Sequence, residues 1–294
     1  FDGQAIHEEF MRRNDYSAFP DFHQFVTWVP DTSSGNGQVA VYKDEISPDA
    51  APTAGVFTAI GVVAADRPVL KPTGNRNEKF NKPLSEAKMQ FTLGGPKMHS
   101  PVLGQDWDRS IAAFEHIEGF AAKTPKRNHF ILTEGGQKCL RINWPMFSPR
   151  VTMLIALRRP ANDLDDKTAS LPVPNDVKSE LSTLKDTHRL NPCPFFDHDG
   201  TPINISMGLQ ARLLHAVVEA SFTLHHFFFK ATNGSMSDTY TARLVQLRVL
   251  KKAPPVPVSP FARSLAQGTA YVPPSTPTRT RSLASGACHT APMP

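Results

Sequence analysis

The chain has 294 residues, 40% of them hydrophobic and 20% charged, which is typical of a globular protein and excludes a wholly disordered one. Its 27 prolines against 17 glycines predict many breaks in regular structure. Three widely spaced cysteines indicate neither a disulfide framework nor a zinc site, and no apolar run is long enough to cross a bilayer. The net charge of +5 modestly favours a polyanionic partner, and we expect an intracellular protein, nuclear or cytoplasmic.

Changes in composition divide the chain into three predicted parts. Residues 1–37 form an N-terminal arm with a short helix at 4–13 and an irregular aromatic stretch after it. Residues 38–252 form a β-rich globular domain. Residues 253–294 are rich in proline, serine, threonine and arginine, cannot build a packed core, and are expected to be a disordered tail. Truncation at Lys252 should therefore leave the thermal midpoint nearly unchanged.

Within the domain, runs of β-branched and aromatic residues predict strands that outnumber helices. The predicted strands are 38–43, 55–64, 88–93, 129–133, 138–144, 151–158, 213–230 and 240–250, and the predicted helices are 106–120 and 175–185. Gly135 and Gly136 predict a two-residue hairpin turn, because glycine supplies the positive φ angles that such a turn needs. The expected fold class is β-rich (α+β) with one or two short helices.

The loop at residues 68–83 is basic. Lys71, Arg76, Lys79 and Lys82 stand there against the single acid Glu78. Such a loop between strands is a usual place for binding, and it is equally what a solvated loop looks like.

The strand at 213–230 carries the main functional signal. Side chains of a strand alternate between two faces, so the apolar residues at 218, 220, 222 and 224 predict the core face. The opposite face continues through His225 to Phe227 and Phe229, with Lys230 beside them. Aromatic rings next to cations are typical of a base-stacking surface, although the two phenylalanines could instead cover a second packing layer under a helix.

A resemblance to a known family rests on this same region. The order of Pro194 to Gly200 (PFFDHDG), Ala216 to Leu224, Phe227 to Phe229 and a closing strand at Leu244 to Leu250 resembles the C-terminal half of OB-fold single-stranded DNA-binding proteins of viruses and mobile elements. The resemblance is confined to residues 194–250. It implies an OB-like or related antiparallel β-barrel that binds single-stranded DNA.

A second motif is a weaker indication of function. Residues 196–201 (FDHDGT) look like the nucleophile motif of haloacid-dehalogenase phosphatases, but prolines flank the motif and too little chain follows for the parallel sheet of that fold. An Asp-Gly turn explains the residues as well. Other enzyme templates are missing from the sequence, so we expect no catalytic residues, no cofactor and no metal.

The sequence therefore predicts a protein that binds single-stranded nucleic acid, with DNA expected, by base stacking and phosphate contacts. The predicted site comprises His225, Phe227, Phe229, Lys230, Tyr240, Arg243 and Arg248. A viral or mobile-element structural protein of capsid type and an enzyme with an unrecognised motif remain as alternatives, and self-association into a homo-oligomer stays open.

Overall fold

Two long antiparallel strands organise the sheet, and the sequence predicts both of them. The computed structural model describes residues 1–31, 37–47, 51–150, 167–230 and 234–254. The helices in these ranges are α1 (Gly3–Phe10), α2 (Pro101–Ala121), α3 (Lys178–Thr187) and α4 (Leu209–Leu213). The strands are β1 (Val26–Asp31), β2 (Gly37–Tyr42), β3 (Phe57–Val63), β4 (Lys88–Gly94), β5 (Arg127–Asn128), β6 (Ile131–Glu134), β7 (Gln137–Pro145), β8 (Phe147–Pro149), β9 (His188–Leu190), β10 (Phe195–Phe196), β11 (Val217–Lys230) and β12 (Met236–Lys251).

Five strands pair in a closed order, β3–β4–β7–β12–β11, with β11 paired back to β3. β3 pairs with β4, β4 with β7, and β11 with both β12 and β3, all antiparallel, whereas β7 and β12 are parallel. β1 and β2 extend the sheet beside the second half of β11. The β-rich, mixed α and β class predicted from the sequence is confirmed. The prediction of one or two short helices is wrong, because the described residues contain four helices and α2 has 21 residues, and the sheet is mixed where an antiparallel one was expected.

Helix α2 covers part of the core. It begins at Pro101, earlier than its apolar spacing alone predicts, because Ser100 caps it and proline is well suited to a first helical position. Its buried Phe114 contacts Phe130 and Phe222, with ring centroids 5.7 and 5.5 Å apart. In the described part of the chain, no helix is both long and apolar enough to cross a membrane.

A β-bulge sets the register of β12 against β11. Ser221 lies opposite Gln246 and Phe222 opposite Leu244, so Val245 is an extra residue in β12. Residues 240, 242 and 244 are buried before the bulge, and residues 247 and 249 are buried after it. The bulge thus exchanges the faces of odd and even positions along β12.

The N-terminal residues, predicted as an arm, lie in the same compact unit as the sheet. Asp2 caps α1, and Phe10 and Tyr16 pack in a small cluster with Ile60. The aromatic stretch predicted to be irregular includes β1, which contains Pro30. Proline is tolerated there because, among the described strands, β1 pairs only with β2 and lies at the edge of the sheet.

The Gly135–Gly136 hairpin is confirmed, since the two glycines have φ angles of 54° and 77° and join β6 to β7. The strand expected from residue 213 begins at Val217, because α4 and a turn at His215, with φ of 62°, precede it. The predicted strand at 151–158 and the tail from residue 255 lie outside the described residues.

Candidate nucleic-acid interface

Three rings stand in a row on the outer face of β11. His225 and Phe227 are nearly parallel, at 8°, with centroids 6.3 Å apart, and Phe229 follows 6.1 Å beyond Phe227. Their alternation with buried Leu224 and His226 is the one predicted from the sequence. We call His225, Phe227 and Phe229 the ring row.

Exposure differs sharply along the ring row. His225 is only 7% exposed, Phe227 is half-buried and Phe229 is 53% exposed. Burial lowers the pKa of His225 to about 4, so the imidazole is neutral at neutral pH. Its Nε2 lies 3.0 Å from the Thr223 hydroxyl. His225 is therefore a support for Phe227, and Phe229 offers the accessible ring.

Arg243 lies beside the ring row. It stands opposite Thr223 on β12, and its guanidinium carbon is 5.8 Å from the centre of the Phe227 ring. Burial lowers the pKa of the guanidinium, and Asp31 opposes that shift, but an arginine remains charged at neutral pH. This arrangement puts a fixed positive charge against the aromatic surface.

The positive charge continues across the sheet to β4. Asn143 of β7 is paired with Arg243 on one side and with Gln90 on the other, so three strands present polar side chains in one row. Lys88 precedes Gln90 by two residues on the same face. Partial desolvation, together with repulsion from Arg243 and Lys82, lowers the pKa of Lys88. The register therefore places Lys88 and Arg243 on the same face of the sheet, two strands apart.

The loop between β3 and β4 supplies Lys82 and an exposed ring. Phe80 is 75% exposed in a short 3₁₀ turn, which Asn77 caps by accepting a hydrogen bond from the Lys79 backbone N–H at 3.1 Å. Arg76, by contrast, is held by two acids, Glu78 and Glu180. The basic loop at residues 68–83 thus contains Arg76, which two acids neutralise, and Lys82, which is available to a ligand.

Sequence reasoning missed Lys88 and Phe80. Lys88 begins a strand that the sequence predicts correctly, but its nearness to Arg243 depends on a pairing between distant segments. Phe80 lies in the basic loop, and an aromatic residue among lysines was the signal that could have identified it.

Three of the predicted site residues are corrected by the structure, and the first is His225, which is buried under Phe227 and is not accessible to a ligand. Tyr240 lies on the inward face, where it is 3% exposed, and its hydroxyl donates a hydrogen bond to the Glu118 carbonyl at 2.8 Å. Arg248 shares the outer face but is ion-paired with Glu219 at 2.8 Å. Glu219 precedes Phe227 by eight residues, about 26 Å along the strand, so Arg248 is remote from the ring row.

Lys230 ends β11 and is exposed opposite Met236. By alternation it belongs to the other face from Phe229, but it lies beyond the core. Its ammonium group is therefore open to solvent at the end of the ring row.

A buried polar network fixes the strands beneath the ring row. His226 Nε2 lies 2.7 Å from Asp238 Oδ1, and the other carboxylate oxygen accepts hydrogen bonds from Thr124 N and Oγ1 and from Lys123 N. Burial would raise the pKa of Asp238, but these hydrogen bonds outweigh it and hold the pKa below its usual value. The network ties the start of β12 to the segment after α2 and so stiffens the support of the ring row.

The FDHDGT segment is a tight turn. Gly200 has a φ of 81° and donates its N–H to the Asp197 carbonyl at 3.0 Å. Candidate ligand atoms of Asp197, His198 and Asp199 lie within 4.8 Å of one another, but Arg212 contacts the Asp197 carboxylate directly. An arginine already provides the positive charge that a metal would bring there.

Solved structures similar to this chain include two phage proteins. One is the single-stranded DNA-binding protein from bacteriophage Enc34, at 13% identity and a TM-score of 0.34, covering 82% of this chain and 99% of that one. The other is gp2.5, a single-stranded DNA-binding protein encoded by bacteriophage T7, at 10% identity and a TM-score of 0.34, covering 75% and 99%. No protein-family profile and no curated protein sequence matches the chain.

Proposed function

We propose that this chain binds single-stranded nucleic acid, preferentially DNA, on the outer face of an OB-type barrel. The strand order supports the barrel: β3, β4 and β7 form a meander, and the β11–β12 hairpin closes back onto β3. OB barrels bind oligonucleotides on the face of their second and third strands, between the first and fourth connecting loops. Here that face belongs to β4 and β7, and the first loop carries Lys82 and Phe80.

The observation that carries the proposal is the ring row with Arg243 and Lys88 at its side. Base stacking on an aromatic side chain is worth about 1 to 3 kcal/mol per base and needs an accessible ring face. Phe229 offers such a ring, because 53% of its surface is exposed and its one aromatic contact among the described residues is with Phe227. Phosphates of the same strand would follow the cations, with Lys230 at one end and Lys82 at the other.

The exposed rings favour a single strand over a duplex. A stacked base must be free of its partner, whereas the phosphates of a duplex can be contacted without exposing any base. A surface that used only its cations would bind both forms. The exposed rings predict a preference for the single strand.

Fluorescence polarisation tests the proposal. Labelled single-stranded DNA, single-stranded RNA and duplex DNA of equal length are titrated with the intact protein at low and at physiological salt. We expect the tightest binding to single-stranded DNA and a linear fall of log K with log salt. A Met98→Ala variant is the control, since that side chain is 96% exposed and lies outside the proposed face. Absence of binding at low salt would refute the proposal, and duplex binding as tight as single-strand binding would refute the stacking.

The proposal assigns the chain a binding role without catalysis. The Asp197 carboxylate is held by Arg212, with the Lys252 Nζ 3.7 Å away. A nucleophilic aspartate needs its oxygen free to attack phosphorus. These ion pairs support the structural interpretation of the FDHDGT turn.

A further inference from the structure

Short hydroxyl side chains lie beside the ring row on the neighbouring strand. On the outer face of β12, Ser237, Thr239 and Thr241 alternate with buried residues. Across the ladder they pair with the three members of the ring row. Each large ring on β11 therefore has a short side chain next to it on β12, so the surface drops from β11 to β12.

Strands β5 and β7 flank β12 on its other side. Asn128 of β5 lies opposite Thr239, and Asn143 of β7 lies opposite Arg243. The Asn128 Nδ2 donates a hydrogen bond to the Thr239 Oγ1 at 3.1 Å, so Asn128 shares the outer face. Arg141 shares it as well, because it precedes Asn143 by two residues on the same strand.

The β5–β7 side carries cations that no acid neutralises. Arg141 is half-buried, and its guanidinium donates a hydrogen bond to the His129 carbonyl at 3.2 Å. Lys126 is exposed, and its carbonyl accepts a hydrogen bond from the Asp238 N–H at 3.0 Å, which places Lys126 opposite the start of β12. None of the ion pairs in the described part of the chain involves Arg141, Lys126 or Arg243. Burial of a charge without a partner carries a free-energy cost, which an anionic ligand would relieve.

These three rows of side chains form a groove that runs along β12. Its walls stand on strands two spacings apart, about 9.5 Å between backbones, and its floor is about 20 Å long from Ser237 to Arg243. A stacked single strand that rises about 3.4 Å per nucleotide would place about six nucleotides along this floor. That length lies within the roughly 4 to 16 nucleotides that an OB fold binds. We call it the β12 groove, with the ring row as one wall, Ser237, Thr239 and Thr241 as the floor, and Lys126, Asn128 and Arg141 as the other wall.

We propose that the single strand lies lengthwise in the β12 groove, with its bases toward the ring row and its phosphates toward Lys126 and Arg141. This inference rests on the proposed nucleic-acid function and adds the direction of the strand and two phosphate contacts. A polynucleotide carries its bases along one side and its phosphates along the other, and the groove has rings on one wall and cations on the opposite wall. A strand that crossed β12 at a right angle would have to bring bases and phosphates to both walls.

Filling the floor of the groove tests the direction of the strand. Thr239→Tyr puts a ring between the two walls and keeps a residue that favours β-strands. We expect it to weaken the binding of an oligothymidylate of about ten nucleotides about tenfold or more in fluorescence-polarisation titrations, because bases lose access to the ring row. Thr133→Tyr is the matched control, since Thr133 is an exposed strand threonine in β6 and lies outside the groove. It should bind like the parent, and a thermal melt of each variant reports folding.

A pair of charge variants decides the question if Thr239→Tyr misfolds. Lys126→Gln/Arg141→Gln should lower the slope of log K against log salt by about 0.7 per cation removed. Arg189→Gln, at an exposed position of β9, should leave the slope unchanged.

The outcomes separate this inference from the proposed function. If the parent binds and Phe229→Ala weakens binding, but folded Thr239→Tyr binds like the parent, the lengthwise path is overturned and the binding function stands. An unaltered slope in Lys126→Gln/Arg141→Gln would likewise overturn the phosphate contacts alone. A parent that binds no oligonucleotide at low salt would overturn both.

Discussion

Replacement of Phe229 by alanine is the sharpest test of the proposed stacking surface. The ring is 53% exposed, and its contact within the ring row is with Phe227 at 6.1 Å. About half of the side chain is thus open to contact with a base. Loss of a stacking contact of about 1 to 3 kcal/mol corresponds to affinity that is about 5 to 150 times weaker.

The same substitution should cost little stability. Full burial of a phenylalanine is worth about 1.5 to 3 kcal/mol, so a ring that is about half buried contributes about 1 kcal/mol to the free energy of unfolding. Phe227 is a poorer choice, because it contacts His225, Phe229 and Arg243 and its removal would disturb all three. A double Phe227→Ala/Phe229→Ala variant, for which the sequence predicts more than tenfold weaker binding, therefore combines binding and packing effects.

The assay compares Phe229→Ala with Phe229→Trp in fluorescence-polarisation titrations of a single-stranded DNA oligonucleotide, with a thermal melt of each. Tryptophan keeps an aromatic face, so it should bind like the parent or better. Equal affinity of parent and Phe229→Ala would show that no base stacks there. Equal weakening by alanine and tryptophan would show that the ring acts through packing and not through stacking.

Three further predictions follow from the charges. The double variant Lys82→Gln/Lys88→Gln should lower the slope of log K against log salt for single-stranded DNA by about 0.7 per lysine. The control Lys178→Gln, on α3, should leave the slope unchanged. An unaltered slope in the double variant would exclude phosphate contacts at Lys82 and Lys88. Asp238→Ala should lower the free energy of unfolding by about 3 kcal/mol in urea titrations, because several buried donors lose their acceptor, and a loss under 1 kcal/mol would contradict the network. Folding lowers the pKa of Asp238 from its ordinary value of 3.8. The stability that the carboxylate contributes should therefore be complete above pH 3.8 and should be lost as the pH falls through the lower folded pKa. Thermal melts of the parent and the variant between about pH 7 and pH 2 can follow this loss. Asp197→Asn should cost about 1 kcal/mol of stability and change no enzymatic activity, and hydrolysis of a generic phosphate ester by the parent that is lost in this variant would revive a phosphatase.

Sequence reasoning succeeded where short-range pattern decides the structure. The alternation in β11 placed His225, Phe227 and Phe229 on one face because strand geometry has a strict period of two. The Gly135–Gly136 turn was equally local. The edge strand β1 was missed, because Pro30 breaks the local strand signal and the pairing with β2 overrides it.

The neighbours of the ring row could not be predicted in the same way, because they depend on long-range register. One extra residue in β12, Val245, decides which positions share a face with β11. Without it, Arg243 and Arg248 would lie on opposite faces, since their numbers differ by five. The bulge brings both to the outer face, yet Arg248 is paired with Glu219 at one end, while Arg243 lies beside Phe227 and on the same face as Lys88 at the other. The same bulge that makes the face continuous therefore leaves its available charge concentrated beside the aromatic rings, which is the combination that single-strand binding requires.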